Sequence, residues 1–410
     1  KERWRGTLEA HAEAIGRLPD ATLWTLCSEE RADLVNYARQ RHARQLGQRG
    51  ADAQQVAAAQ AALDPNALTI GYARRFTEYK RPNLLLHDAD RLARLLTRSD
   101  RPVQLIVAGK AHPQDEQGKQ FVQAWAAFVR RPDVRPHAVF LEDYDITLAQ
   151  ELVQGVDLWI NTPRRPWEAC GTSGMKVLAN GGLNLSTLDG WWAEAYRPEV
   201  GWALGDGRDH SDAGGDAAEA EQLYSLLEND IVPQFYARNS AGIPTAWVAR
   251  MRASMSSLAP QFSSTRMLCH YVETVYLPAA RRSRKRRDSE TARALHAWAT
   301  ALQQHWGAIH IAPPDVRQEG TDWAFDVQVY LGELAPDMVQ VQLYAAPADD
   351  GKSACHTMQA GETLAGARQG YHYRARVPSA RPAQDYTVRV LAQRPDVCLP
   401  QELPLILWQH

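Results

Sequence analysis

The chain has 410 residues, 45% of them hydrophobic, enough for two or three separately packed cores. Its formal net charge of −2 provides no global field to recruit nucleic acid or an anionic membrane, and no run of about 18 apolar residues predicts a membrane-spanning helix. Cys27, Cys170, Cys269, Cys355 and Cys398 are scattered singly, which argues against a disulfide framework or a structural zinc site and predicts a soluble, cytoplasmic, metal-free protein.

Residues 1–66 read as a helical lead-in. Trp4, Leu8, Ile15 and Leu18 recur near helical spacing, and the Ala/Gln/Arg-rich stretch 31–63 continues until Asp64-Pro65-Asn66 stops it. The sequence opens abruptly inside this amphipathic pattern, as at a cut end. From residue 67, short apolar runs (67–73, 103–108, 138–141, 156–160 and 183–185) alternate with helical stretches such as 83–97 and 119–130. That alternation predicts an α/β fold with a doubly wound, Rossmann-like parallel sheet over 67–280, whose ligand sits at the carboxyl ends of the strands.

The chemically loaded residues fall at those ends. After the first strand, Arg74, Arg75, Lys80 and Arg81 crowd one turn, with Pro82 suited to open the next helix; four cations there make a candidate phosphate site. Gly109-Lys110-Ala111-His112-Pro113 follows the second strand and Glu142-Asp143-Tyr144-Asp145 the third. Farther on, Gly171, Thr172, Ser173 and Gly174 precede the apolar run Met175, Val177, Leu178, which reads as a helix N-capped by Thr172 or Ser173, with outward amides suited to a phosphate. Lys176 lies four positions after Thr172 on the same helical side. A ligand with a phosphate at one end and a lysine-reactive carbonyl at the other, such as pyridoxal phosphate, fits that pair, although these nine residues alone favour an ordinary helix start.

As an ordered set, Arg-Phe-Thr-Glu-Tyr-Lys-Arg at 75–81, Ala-Gly-Lys-Ala at 108–111, Phe-Leu-Glu-Asp-Tyr at 140–144 and Glu-Ala-Cys-Gly-Thr-Ser-Gly-Met-Lys at 168–176 resemble the C-terminal lobe of the α-glucan (glycogen, starch, maltodextrin) phosphorylases over about residues 67–205. The resemblance implies a glycosyltransferase-B architecture and phosphorolysis of α-1,4-glucan to α-D-glucose 1-phosphate with retention. It implies pyridoxal 5'-phosphate held as a Schiff base by Lys176, with Gly171, Thr172 and Arg74 on its phosphate and Tyr144 beside it. It implies Arg75 and Lys80 on the substrate phosphate, and Glu168, Tyr79, Cys170 and Gly171 around the glucosyl hydroxyls. Cys170, Gly174 and Asp145 depart from the commonest family pattern in the manner of the shorter bacterial enzymes. No strand-rich lobe precedes residue 67, so the resemblance implies an N-terminal lobe as a missing partner beside glucan and inorganic phosphate, a chain inactive alone, and room for a homo-oligomer.

Downstream, Trp191-Trp192 is open to sugar stacking or to packing, 205–215 reads as a loop, and 217–276 as helices. The basic run within 281–290 reads as a solvated linker rather than a nucleic-acid site. Residues 291–410 predict a helix and then an antiparallel β-sandwich, since Phe325, Val327 and Val329 alternate with Asp326, Gln328 and Tyr330. Two other classes stay open: a nucleotide-sugar glycosyltransferase of the same architecture, which would favour Glu where Lys176 stands, and a non-catalytic glycan-binding or assembly protein.

Overall fold

The computed structural model describes residues 8–209, 213–347 and 353–409. The chain divides into two compact units, one ending at Leu268 and one beginning at Cys269.

The first unit starts with helices α1 (Leu8–Arg17), α2 (Asp20–Gln48) and α3 (Ala53–Ala61). Strands and helices then alternate: β1 (Leu68–Ala73), α4 (Ala89–Leu96), β2 (Val103–Ala108), α5 (Glu116–Val129), β3 (Ala138–Leu141), α6 (Ile146–Gly155), β4 (Leu158–Asn161), α7 (Thr172–Ala179), β5 (Leu183–Thr187), α8 (Trp191–Ala195) and β6 (Gly201–Leu204). Helices α9 (Ala213–Leu226), α10 (Val232–Tyr236) and α11 (Thr245–Gln261) follow. The six strands form one parallel sheet in the order β3-β2-β1-β4-β5-β6. Strand order therefore reverses between β1 and β4, which opens a crevice at their carboxyl ends.

Every residue of β1, β2, β4 and β5 is buried, as expected of strands covered on both faces. One face packs Leu68, Ile70, Leu105 and Leu158 against α4, α5 and α9 to α11. The other packs Ile106, Val139 and Trp159 against Leu34, Val35 and Ala38 of α2. Part of the expected lead-in is thus a wall of the sheet. Arg31 of α2 reaches Asp157, just before β4, at 2.5 Å, with both side chains under 5% exposed. The second carboxylate oxygen of Asp157 accepts from Thr69 N at 2.8 Å. Pro82 does not open a helix directly: a short 3₁₀ turn at Leu84–Leu86 intervenes before α4. The expected loop at 205–215 lies partly outside the described residues, and α9 already begins within it.

In chain order, α12 (Ser264–Tyr271), α13 (Leu277–Arg286) and α14 (Ser289–His305) come next. The basic run of the expected solvated linker is helical and mostly exposed. It continues α13, and Arg286 donates to Glu402 at 2.5 Å and to the Asp396 carbonyl at 2.6 Å. The second unit is built on β7 (His310–Ile311), β8 (Asp315–Glu319), β9 (Asp322–Tyr330), β10 (Val339–Ala345), β11 (Ala354–Thr357), β12 (Gln359–Thr363), β13 (Gly370–Pro378), β14 (Tyr386–Ala392) and β15 (Ile406–Trp408). One antiparallel sheet runs β11-β10-β14-β15; the other runs β12-β13-β9-β7, with β8 also on β9. Phe325, Val327 and Val329 meet Val341, Leu343 and Val390 in a shared apolar core, so the period-two pattern becomes a sandwich.

Candidate active site

The crevice is built from the segments that leave β1 and β4. Tyr72, near the end of β1, and Phe76 beyond it are buried and flank the turn that carries Arg74 and Arg75 in opposite senses. Arg74 turns inward, its side chain 8% exposed, and donates from Nη2 to Glu168 Oε2 at 3.0 Å. Lys80 Nζ meets the same oxygen at 2.5 Å. Arg75 is exposed, and its guanidinium makes no hydrogen bond or ion pair among the described residues.

Arg81 behaves differently from its cationic neighbours. It ends the 3₁₀ turn Glu78–Lys80 in the left-handed region, φ 44°, and its guanidinium points into the protein. There it donates to the carbonyls of Thr162 and Pro163, each at 3.0 Å, and pairs with Asp216 at 2.9 Å and Glu219 at 2.5 Å. A basic cluster read as four phosphate ligands is thus three cations and a clamp. The clamp ties the Lys80 turn to the β4–α7 loop, and Arg164 N reinforces it by donating to the Tyr79 carbonyl at 2.6 Å.

That loop carries Glu168, whose backbone N–H donates to Asp189 Oδ2 at 2.8 Å. Cys170 contributes its carbonyl, which accepts from Trp191 N at 3.0 Å, while burial, then Glu168 and Glu194, push its thiol pKa up. The expected cap at Thr172 or Ser173 is absent. Gly171 is the N-cap, at φ 85°, and no side chain bonds to the first turn of α7. A residue there must take a left-handed conformation, which costs a side-chain-bearing residue more than glycine, and the unpaired amides remain available to an anion. At Gly174 a Cβ would lie 2.6 Å from Asn184 Oδ1, so α7 sits too close to β5 for the asparagine that the family often has there. Lys176 is exposed on α7, and its ammonium has no partner among the described residues.

Arg74 is the electrostatic centre of the arrangement. Its Nε and Nη1 are buried with no hydrogen-bond partner, although buried donors of this kind are nearly always satisfied. Tyr144 lies within reach of its charge: burial raises the phenol pKa, and the Arg74 charge opposes that rise. The Tyr144 loop is held by Arg41, which donates to the carbonyls of Glu142 and Asp143 at 2.8 and 2.9 Å. Asp145, the charge-reversed position, has a local role as the N-cap of α6, accepting from Leu148 N at 2.8 Å; that bond holds its carboxyl below the usual range.

Tyr79 lies beside Trp167, ring centroids 6.2 Å apart, and Trp167 is 66% exposed. Trp191 and Trp192 are both buried, so they pack rather than present a sugar platform. The structure therefore brings Arg74 and Lys80 onto one oxygen of Glu168, with Tyr144 within reach of the Arg74 charge, while Arg75 and Lys176 stay exposed. Sequence reasoning missed Asp189, Arg81 in its inward role, and Trp167. Asp189 sat in Thr187-Leu188-Asp189-Gly190-Trp191-Trp192, a stretch noticed for its tryptophans.

Residues 30–201 match the family described as Carbohydrate phosphorylase, and residues 306–410 match the Glycogen phosphorylase C-terminal domain. A glycogen phosphorylase of Mycobacterium tuberculosis is 38% identical over 407 residues, covering 96% of this chain and 47% of that protein. A glycogen phosphorylase of Aquifex aeolicus is 42% identical over 264 residues, 64% of this chain and 38% of that protein. A maltodextrin phosphorylase of Thermococcus litoralis is 33% identical over 417 residues, 99% and 49% of the two. The chain spans about half the length of the curated relatives it matches. With both family regions matched in order and the strand order 3-2-1-4-5-6 beneath them, the chain belongs to the carbohydrate phosphorylase family.

Proposed function

We propose that this chain supplies the cofactor- and phosphate-binding half of an α-glucan phosphorylase, which cleaves α-1,4-glucan with inorganic phosphate to give α-D-glucose 1-phosphate with retention. The observation that carries the reading is the buried, half-unsatisfied guanidinium of Arg74, in a crevice it shares with the uncapped N-terminus of α7. Both features suit a phosphate, and Lys176 on the same helix suits an aldehyde.

The residues present fit pyridoxal 5'-phosphate: Lys176 would hold it covalently, Arg74 with the amides at Gly171 and Thr172 would hold its phosphate, and Tyr144 would flank it. When bound, that group supplies a phosphate able to exchange a proton with the substrate phosphate. This chain's own residues do the rest. Two like charges 4 Å apart repel by about 4 kcal/mol at an effective dielectric of 20, so two phosphates approach only with cations between or beside them. Arg75, exposed and unpaired, and Lys80 are those cations.

Lys80 now shares Glu168 with Arg74. A bound phosphate draws Lys80 toward itself and frees one lone pair of the Glu168 carboxylate to accept a glucosyl hydroxyl. Asp189 keeps that carboxylate in place through the Glu168 backbone. The backbone at Cys170 and Gly171 orients the remaining hydroxyls, and Tyr79 walls the sugar. The other half of the phosphorylase closes the crevice and excludes water.

The test is reductive trapping. The purified chain is incubated with pyridoxal phosphate, reduced with borohydride and mapped by mass spectrometry. Modification concentrated on Lys176 is the expected result. Labelling spread over Lys110, Lys119 and Lys285, or none at all, contradicts the assignment.

A further inference from the structure

A second site lies along the β3 edge of the sheet, two strands from the β1–β4 crevice. A cavity of about 650 Å³ opens there between the last turns of α2, helix α3 and the end of α5. That volume is within the range of small-molecule sites, about 300–1,000 Å³. Its walls are mostly apolar, with Ala59 of α3, Val129 of α5 and Phe140 of β3 among them.

Among the charged groups around this apolar body, cations outnumber the anion. Arg49, Arg130 and Arg135 line the cavity, against a single carboxylate, Glu142. Glu142 is paired with Arg49. Arg130 and Arg135 are exposed, and their guanidiniums form no ion pair or hydrogen bond among the described residues. Deeper in, Gln45 Oε1 is buried without a donor. His42, also in the lining, adds no compensating negative charge.

We propose that this cavity binds a small amphipathic organic anion. Its apolar body lies on the alanine wall and Phe140, and its oxyanion head lies between Arg130 and Arg135. Guanidinium forks match an oxyanion bidentately, and two unpaired forks at the rim of an apolar cavity recognise that head and little else. A hydroxyl or amine on the body satisfies Gln45. Glu142, paired with Arg49, is the one negative charge in the lining and limits affinity by repelling the head. This site is independent of the cofactor assignment, since none of its residues belongs to the β1–β4 crevice.

An aromatic and an aliphatic body share this chemistry, and two probes separate them. The full chain is titrated calorimetrically with 1-naphthyl phosphate, octyl phosphate and inorganic phosphate. Saturable binding of an organic phosphate is expected, and the tighter of the two identifies the body. Affinity falls at least tenfold in Arg130→Ala/Arg135→Ala and is lost in Ala58→Trp, which fills the cavity from an exposed lining position. It rises severalfold in Glu142→Gln. The inference is overturned if neither organic phosphate binds, if inorganic phosphate binds as tightly and Arg130→Ala/Arg135→Ala weakens it equally, or if both blocking variants, with unchanged circular dichroism and melting, bind as the parent does.

Discussion

The two units of this chain solve the problem of buried polarity in opposite ways. In the parallel-sheet unit, Arg31, Arg81, Asp157, Asn161, Glu168, Asn184 and Asp189 are all buried, most of them where strands end. In the sandwich unit the buried side chains among the described residues are apolar or aromatic, Tyr373 and Trp298 carrying the only polar atoms among them, and ion pairs such as Asp326–Arg374 stay at the surface. Buried charge is costly and survives only when paired and hydrogen-bonded. That buried charge is concentrated in the parallel-sheet unit, while the interior of the sandwich is given to packing.

The sharpest way to break this contrast is to remove one partner from a buried pair. Arg31→Ala should cost ~3–5 kcal/mol in denaturant unfolding, because Asp157 is left buried and unpaired. Arg374→Ala in the sandwich, beside a partner that is 31% exposed, should cost ~1 kcal/mol or less. The sandwich should instead fail through its core: Leu343→Ala, fully buried, should cost ~2–5 kcal/mol by leaving a cavity.

Acid sharpens the comparison further. Hydrogen bonds from Arg91 hold the Glu228 carboxyl below its usual range, partial burial opposing them. Its folded pKa is therefore below its unfolded one. The contribution is present above the unfolded value, about 4.3, and is lost as pH falls through the lower folded value. Glu228→Gln should flatten the acid limb of a stability–pH profile between those two values, measured by thermal melting.

The smallest effect concerns thiols. Burial, chiefly, raises the Cys27 pKa to about 12, whereas Cys269 and Cys355 are exposed. Iodoacetamide at pH 8 should alkylate the exposed pair first and Cys27 only on unfolding, as read by mass spectrometry.

The parallel sheet was legible because strands covered on both faces leave unbroken apolar runs, and the sandwich because one-sided burial leaves alternation. The start of α7 ahead of Lys176 was legible because a helix start imposes spacing. What was not legible depended on distance or direction. Arg31 and Asp157 are 126 positions apart, and no local pattern announces such a pair. A run of cations does not say that Arg81 points inward while Arg75 points out. The cap at Gly171 was misassigned to its neighbours because Thr and Ser favour that role, whereas the turn requires a positive φ. Asp189 acts through a backbone N–H, which carries no side-chain signature.

The most direct test of the central claim, that Arg74 and the open end of α7 hold the phosphate of a lysine-bound cofactor, is an absorbance titration of the full chain with pyridoxal phosphate. The expected outcome is a protein-bound band that borohydride shifts, absent in Lys176→Ala and at least tenfold weaker in affinity in Arg74→Ala. A chain that binds no pyridoxal phosphate, or an Arg74→Ala variant that binds it as tightly as the parent, would contradict it.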